Sequence, residues 1–396
     1  MRIAPILPQN STITFKGSGI LEKPPSQPEI LIMEGEGIYP KNLTSFATTY
    51  MPAAQYLPFD VRKSRFDSIY EAVTYITGDE FKNKINAKNW KDEKYKEQMF
   101  DLMDDESFLF RRAGTLLTRA KSRLEDAYKN QQKIIIPFSG GRDSSALLAL
   151  TLAFFPEKEV TLVTALNGFA EGIENPVIQK KYLENLFHRP EVPHVFLDAT
   201  EDIEEFALNS AQKDKECLGS CAICSVCKIV MEKHLANYAK LNGCDRILMG
   251  YSNYQGMQDW VEQTPQQIKF MQAELLKHGV RTLSPLYDVL EYPFDSILLL
   301  ASLGIPLKHH KNEMKCQAGG LNPENLDLGR LEEFLVAKNK ETQRCLERPP
   351  KALDYGETEK TPVLIDRVTM LREDRKFVDG VFREKKFEGQ YGEINS

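Results

Sequence analysis

Two groups of residues in this 396-residue chain have types and spacings suited to chemistry. The first is Ser139-Gly140-Gly141-Arg142-Asp143-Ser144-Ser145, set between Ile134-Ile135-Ile136 and an apolar run that begins at Ala146. Paired glycines let a backbone approach an anion closely, and the N–H groups and dipole of a following helix then face it. Hydroxyls at Ser139, Ser144 and Ser145 add donors, and the carboxylate of Asp143 can hold Mg²⁺ or orient the turn. The second group is Cys221, Cys224 and Cys227, two successive C-x₂-C steps whose thiolates can converge on one metal centre. A fourth ligand is available from Cys316, far downstream, or from the nearer Cys217. Zinc takes four closed ligands, whereas a [4Fe–4S] cluster held by three cysteines leaves one iron open, and the spacing admits both.

The elements that must position these groups follow from hydrophobic pattern. Ile134 to Ile136 suit a buried parallel strand, the chain breaks at Gly140-Gly141, and ALLALTLAFF reads as a buried helix that Asp143 or Ser144 can cap. Strands are expected at 160–166, 194–198 and 246–249, with helices over 176–187, 225–239, 265–276 and 293–303. Residues 283–290 read as a loop. Alternation at this spacing implies a doubly wound, mostly parallel α/β sheet. Ligands in such sheets lie beyond the carboxyl ends of strands, so Ala165, Leu166, Asn167 and Gly250 join Ser139 to Ser145 as nucleotide-contact candidates.

Three regions result. Residues 1–130 form an N-terminal α+β extension with strand candidates at Thr12–Phe15 and Ile30–Met33, a helix over 65–77 and a long helical region over 92–130. Residues 131–320 hold the sheet and both chemical groups, and 321–396 read as a helix followed by a surface tail. Arg111, Arg112, Arg119, Lys121 and Arg123 read as the solvated face of the long helix. Lys228, Lys308 and Lys315 are candidates to neutralise a phosphate or carboxylate, while His309 and His310 read as exposed loop residues.

A charged fraction of 27% and a hydrophobic fraction of 42% are those of a soluble globular chain. No apolar run approaches a membrane span and Met1-Arg2-Ile3-Ala4-Pro5 lacks a signal-peptide core, so a cytoplasmic location is expected. A net charge of −6 argues against a broad nucleic-acid surface and disfavours tRNA as partner without excluding a local basic patch. Seven cysteines without an export signal point to metal or catalysis rather than disulfides.

The glycine turn is not a Walker A loop, because no Gly-Lys-Ser/Thr follows the adjacent glycines. SGGRDSS instead resembles the SGGxDS signature of the PP-loop ATP pyrophosphatases, whose fold is the adenine nucleotide alpha hydrolase-like one. That resemblance implies ATP cleavage to AMP and pyrophosphate, with Ser139, Asp143 and Ser144 as the residues closest to the chemistry. Over residues 133 to 320 the order of elements, with SLGIPLKHHKNEMKC near its end, is similar to that of the 7-cyano-7-deazaguanine synthases. Their C-x₂-C-x₂-C and one distal cysteine hold zinc, which Cys221, Cys224, Cys227 and Cys316 would match, although in that family the triplet follows the distal cysteine. The order found here also resembles the tRNA 2-thiolation enzymes, in which a C-x₂-C and a later cysteine carry an iron–sulfur cluster; Cys224, Cys227 and Cys316 fit that pattern.

Three functions follow as expectations. The first is an adenylating ligase that activates a carboxylate or carbonyl oxygen of a small molecule or protein for displacement by nitrogen. The second is a tRNA thiolase. The third is an inactive ATP-binding subunit whose N-terminal extension meets a partner protein.

Overall fold

The computed structural model describes residues 30–33, 37–40, 52–86, 90, 92–219, 221–256, 261–310, 313–320 and 328–374. The expected strand at Thr12–Phe15 and most of the expected tail lie outside them. Strands β1 (Ile30–Met33) and β2 (Gly37–Pro40) pair antiparallel, and helices α1 (Phe59–Thr77), α2 (Asp79–Asn86), α3 (Glu93–Asp104) and α4 (Glu106–Tyr128) follow. The expected long helix is therefore two. Asp105 leaves the helical region and its carboxylate accepts a 3.0 Å hydrogen bond from the Phe108 amide, which caps the restart. The α2 to α4 segment adds no strand, so the described part of the extension beyond the hairpin is helical.

The sheet begins with β3 (Lys133–Pro137), α5 (Arg142–Phe154), β4 (Glu159–Leu166), a short β5 (Ala170–Glu171), α6 (Glu174–Leu186) and β6 (His194–Asp198). Helices α7 (Thr200–Ile203), α8 (Ala211–Leu218) and α9 (Ile223–Leu241) lead to β7 (Arg246–Leu248). Then come α10 (Asn253–Gly256), α11 (Pro265–Lys277), β8 (Arg281–Leu283), α12 (Asp295–Ser302) and β9 (Lys315–Cys316). Helix α13 (Leu328–Glu341), β10 (Lys351–Leu353) and α14 (Ile365–Glu373) complete the described chain.

Six strands form one sheet in the order β10-β6-β4-β3-β7-β8, parallel except for β10, which runs antiparallel along β6. The edge strand β8 ends on Leu283, the first residue of the region read as a loop, and the C-terminal region supplies the other edge. Successive residues of β3 face opposite layers. Ile134 and Ile136 join a core with α1, α4, α5 and α12, whereas Ile135 joins one with α9, α11 and α13. From β3 the chain winds outward through β4 and β6, then returns to β7 on the other side, so a crevice opens at the carboxyl ends of β3 and β7. Among the described residues no helix is long and apolar enough to cross a membrane.

Candidate active site

The crevice between β3 and β7 is where the glycine turn falls. Gly140 takes φ +76°, a conformation that side chains disfavour, and Gly141 is the residue before α5. Neither Asp143 nor Ser144 caps the helix as expected. The Asp143 carboxylate instead accepts a 2.9 Å hydrogen bond from Ser252 Oγ, 109 positions onward. A side-chain cap would have occupied the first-turn amides; here they stay available to an anion. Ser144 Oγ donates to Gly141 O at 3.1 Å and lies 3.3 Å from Ser139 Oγ, and the Gly141 amide donates to Ser139 Oγ at 3.3 Å. Gly250, just past β7, lies against the same turn. A Cβ there would stand 3.0 Å from the Ser144 amide nitrogen and 3.1 Å from Ser144 Cα, which only glycine avoids without moving backbone.

A cavity of about 240 Å³ opens over this turn, and Ser139, Gly141, Arg142, Asp143, Ser144, Ala165 and Gly250 all line it. Gly140, Ser145, Leu166 and Asn167 do not. Ser145 is buried and its hydroxyl donates to Gly140 O at 3.1 Å, so it braces the turn from behind. Burial raises the pKa of Asp143, while Ser252 and Arg142 oppose that shift. Its Oδ1 is buried without a hydrogen-bond partner, an acceptor suited to a cation.

The chain supplies cavity walls that local sequence pattern does not mark. Glu313 lies across the turn, so close that a Cβ on Gly141 would meet its Oε1 at 2.6 Å. It is held there by Met314 N–H donating to Ser139 O at 3.2 Å and by Asn175 Nδ2 donating to Glu313 O at 3.1 Å. Burial of the carboxyl pushes it up to about 7 against the pull of Arg142, although one side of the residue stays open to solvent. Lys228, Met231 and Glu232 of α9 form the opposite wall. Glu232 accepts a hydrogen bond from the Tyr251 hydroxyl, and the Lys228 ammonium sits 4.8 Å from the centre of the Tyr251 ring. Lys228 was therefore legible as a candidate, but Glu232 and Glu313 carried no signal beyond lying within a few residues of Cys227 and Cys316.

Helix α9 also begins with the cysteines. Cys221 and Cys227 are buried and Cys224 is partly so, and Cys316 on β9 lies within electrostatic reach of both Cys224 and Cys227. One of these thiols touches the cavity wall, and another is met from the end of β4. Cys227 Sγ is 3.5 Å from Sδ of the wall residue Met231, and Asn167 Nδ2 approaches Cys316 Sγ at 3.9 Å. Asn167 thus leaves β4 toward the thiols rather than the nucleotide wall. Cys217 is exposed on α8. Burial pushes Cys221 up to about 12 and raises Cys224 and Cys227 as well, so a cation is needed to hold these groups as thiolates. Among the described residues, no three of these sulfurs lie within 4.8 Å of one another. Four thiolates on one zinc would stand about 3.8 Å apart, given bonds near 2.3 Å.

The remaining candidates resolve differently. Lys308 and Lys315 are absent from the cavity wall. His309 and His310 are not exposed loop residues: His309 stacks on Tyr182 with ring centres 3.8 Å apart, and His310 is buried with Nε2 2.9 Å from Ile305 O. The basic residues of α4 do not form one solvated face either, because Arg112 bonds Asp295 and Glu291 while Arg119 bonds Asp288 O and Glu291.

No family model matches the chain, and no curated protein does. Among solved structures it is similar to the U34-tRNA thiolase NcsA from Methanococcus maripaludis with its [4Fe-4S] cluster, at 18% identity and a TM-score of 0.35, over 59% of this chain and 78% of that one. It is also similar to a 4-thiouridine synthetase in an RNA complex with bound ATP, at 16% identity and a TM-score of 0.36, over 56% of this chain. Both likenesses are distant, and the chain spans 55% of the length of the second.

Proposed function

We propose that this chain is an ATP-dependent transferase that adenylates a carbonyl oxygen of an acceptor molecule and then replaces that oxygen with sulfur. The observation that carries the reading is that one helix, α9, supplies both a wall of the cavity over the glycine turn and the first thiols of the cysteine set. In the adenylation step the acceptor oxygen attacks the α-phosphorus of ATP and pyrophosphate leaves. The oxygen departs later as part of AMP. The amides after Gly141 and the hydroxyls of Ser139 and Ser144 would meet the pyrophosphate oxygens, and Asp143 Oδ1 would ligate the accompanying Mg²⁺. Arg142, Asp143 and Glu313 line the cavity within electrostatic reach of one another and would order the phosphate chain.

An iron–sulfur cluster on Cys224, Cys227 and Cys316 would supply the sulfur chemistry. That no three of these sulfurs lie within 4.8 Å of one another among the described residues, and that Cys227 touches the cavity wall, support a cluster over one zinc. A second reading, nitrogen transfer of the 7-cyano-7-deazaguanine synthase type with structural zinc on Cys221, Cys224, Cys227 and Cys316, is favoured by one feature, the burial of Cys221 beside the other thiols.

Anaerobically purified protein decides between them. Iron, acid-labile sulfide and visible absorbance support sulfur transfer, whereas colourless protein without iron or sulfide, whose zinc content falls on Cys224→Ser, supports nitrogen transfer. Cys224→Ser should lose the metal held by these cysteines in either case. For the shared step, Asp143→Ala should lower pyrophosphate release by about 10²- to 10³-fold with the fold intact. An Asp143→Ala protein that turns over normally would sink the assignment of the turn. Wild-type protein that binds ATP but never releases pyrophosphate with bulk tRNA, sulfide or ammonium would favour a nucleotide-binding subunit.

A further inference from the structure

Outside the cavity lining, although between its residues Glu232 and Leu235 in sequence, His234 of α9 meets the C-terminal region at three donors of different chemistry. Asp202 from α7, His234 from α9 and Cys345 from the turn after α13 each offer one atom, and those atoms all lie within 4.8 Å of one another. All three are sequestered, with 3%, 3% and 0% of their surface exposed. His234 Nε2 lies 2.9 Å from Asp202 Oδ2, while His234 Nδ1 is buried with no hydrogen-bond partner. A buried imidazole with one nitrogen unmet is costly as it stands, and coordination of that nitrogen removes the cost. Full burial rules out the alternative use of a Cys–His–Asp set, nucleophilic attack on a substrate, because no substrate reaches the sulfur.

We infer that Asp202, His234 and Cys345 form a second metal site, independent of the cavity and its thiols, for a divalent ion of the zinc class. The donor set selects the ion. A sulfur ligand disfavours Mg²⁺ and Ca²⁺, and mixed sulfur, nitrogen and oxygen donors suit Zn²⁺ or its stand-in Co²⁺. Charge balances as well. The Asp202 carboxylate and the Cys345 thiolate neutralise a dication, and the thiol proton leaves to solvent on binding. Arg344 does not compete for the site, because it approaches the other carboxylate oxygen, Oδ1, at 2.9 Å and shares its guanidinium with Glu205. It fixes the ligand from behind, as outer-shell partners of metal sites do. The ion would fasten the turn between α13 and β10 to the sheet, where β10 closes the edge on β6.

The test is cobalt titration of the full chain in which Cys221, Cys224, Cys227 and Cys316 are serine, so that only the second site can respond. One Co²⁺ per chain with a sulfur-to-cobalt charge-transfer band is expected, and adding Cys345→Ser should abolish the band. Adding His234→Ala instead should weaken binding at least tenfold. No cobalt uptake, or a band that survives Cys345→Ser, would overturn the inference. If the four-serine chain fails to fold, zinc content decides on the otherwise unaltered protein: Cys345→Ser should hold one zinc fewer than wild type, and equal content refutes the site. None of these readouts depends on turnover, so they stand apart from the fate of the proposed reaction.

Discussion

Two buried polar clusters, one in each layer that flanks the sheet, are matched to different degrees. Beneath Ile134 and Ile136, the fully buried Asp295 is met by the Arg112 guanidinium at 2.9 and 2.7 Å and by the Glu291 and Tyr292 amides at 2.8 and 2.9 Å. Every oxygen there is matched, and the surroundings are the apolar faces of α1, α4, α5 and α12. Beneath Ile135 the same depth holds Cys221, Cys227, Glu232 and His234, whose partners inside the chain are fewer. The Tyr251 hydroxyl meets Glu232, and His234 keeps one nitrogen unmatched. In one cluster the buried carboxylate ties α4 to α12; in the other His234 keeps a nitrogen available to a ligand.

The largest effect that separates the layers is therefore one of stability without loss of binding. Arg112→Met leaves Asp295 charged and buried with only backbone amides, and should lower unfolding free energy by about 3–5 kcal/mol. The readout is the urea midpoint at unchanged slope. Affinity for α,β-methylene-ATP should stay within a factor of about three, because Arg112 touches no cavity residue. A folded Arg112→Met protein that no longer binds the nucleotide would erase the contrast between the layers.

That contrast also marks what the sequence could and could not reveal. The strand, the paired glycines and the helix after them were legible because each is local: β-branched residues, a φ only glycine takes easily, and an apolar run sit side by side between Ile134 and Phe154. Asp143 as a cap was a local reading too, and it failed because Ser252 reaches the carboxylate from across the crevice. Arg112 looked solvent-facing for the same reason, since its partner Asp295 is 183 positions away. The edge strands β8 and β10 have three residues each, too short for a period to show, and their pairing with β7 and β6 makes them strands. Glu232 and Glu313 are charged residues in unremarkable contexts, and only the folding of α9 and β9 onto the turn brings them to the cavity.

A smaller effect tests the cavity layer by pH. Packing against the turn pushes the Glu313 carboxyl up to about 7, and its ionised form faces the same turn that would receive phosphate. Affinity for α,β-methylene-ATP should therefore fall about three- to tenfold between pH 6 and 8, and Glu313→Gln should flatten the profile by tightening binding at the alkaline end. The raised value has a matching sign in stability. The folded chain holds a proton that the unfolded chain has already released, so this group's contribution is complete below the usual glutamate range and is lost as pH rises through about 7. A pH profile unchanged by Glu313→Gln would show that the carboxylate and the phosphates do not compete for the turn.

The smallest expected effect lies on the outer surface of the helical layer, and it bears on tRNA. With Arg112 and Arg119 engaged by acidic and carbonyl partners, the basic residues of α4 do not make a continuous phosphate track. Arg123 is the most exposed of the five, beside Asp288 at 3.8 Å and with about half of its side chain exposed. Arg123→Ala should change stability by no more than about 0.5 kcal/mol, as exposed pairs do. It should also leave the salt dependence of any tRNA binding untouched, whereas a residue that neutralises one phosphate on a duplex changes the logarithmic slope by about 0.9. A measurable drop in that slope would mean that nucleic acid docks on the helical layer, and that this layer does more than hold the sheet together.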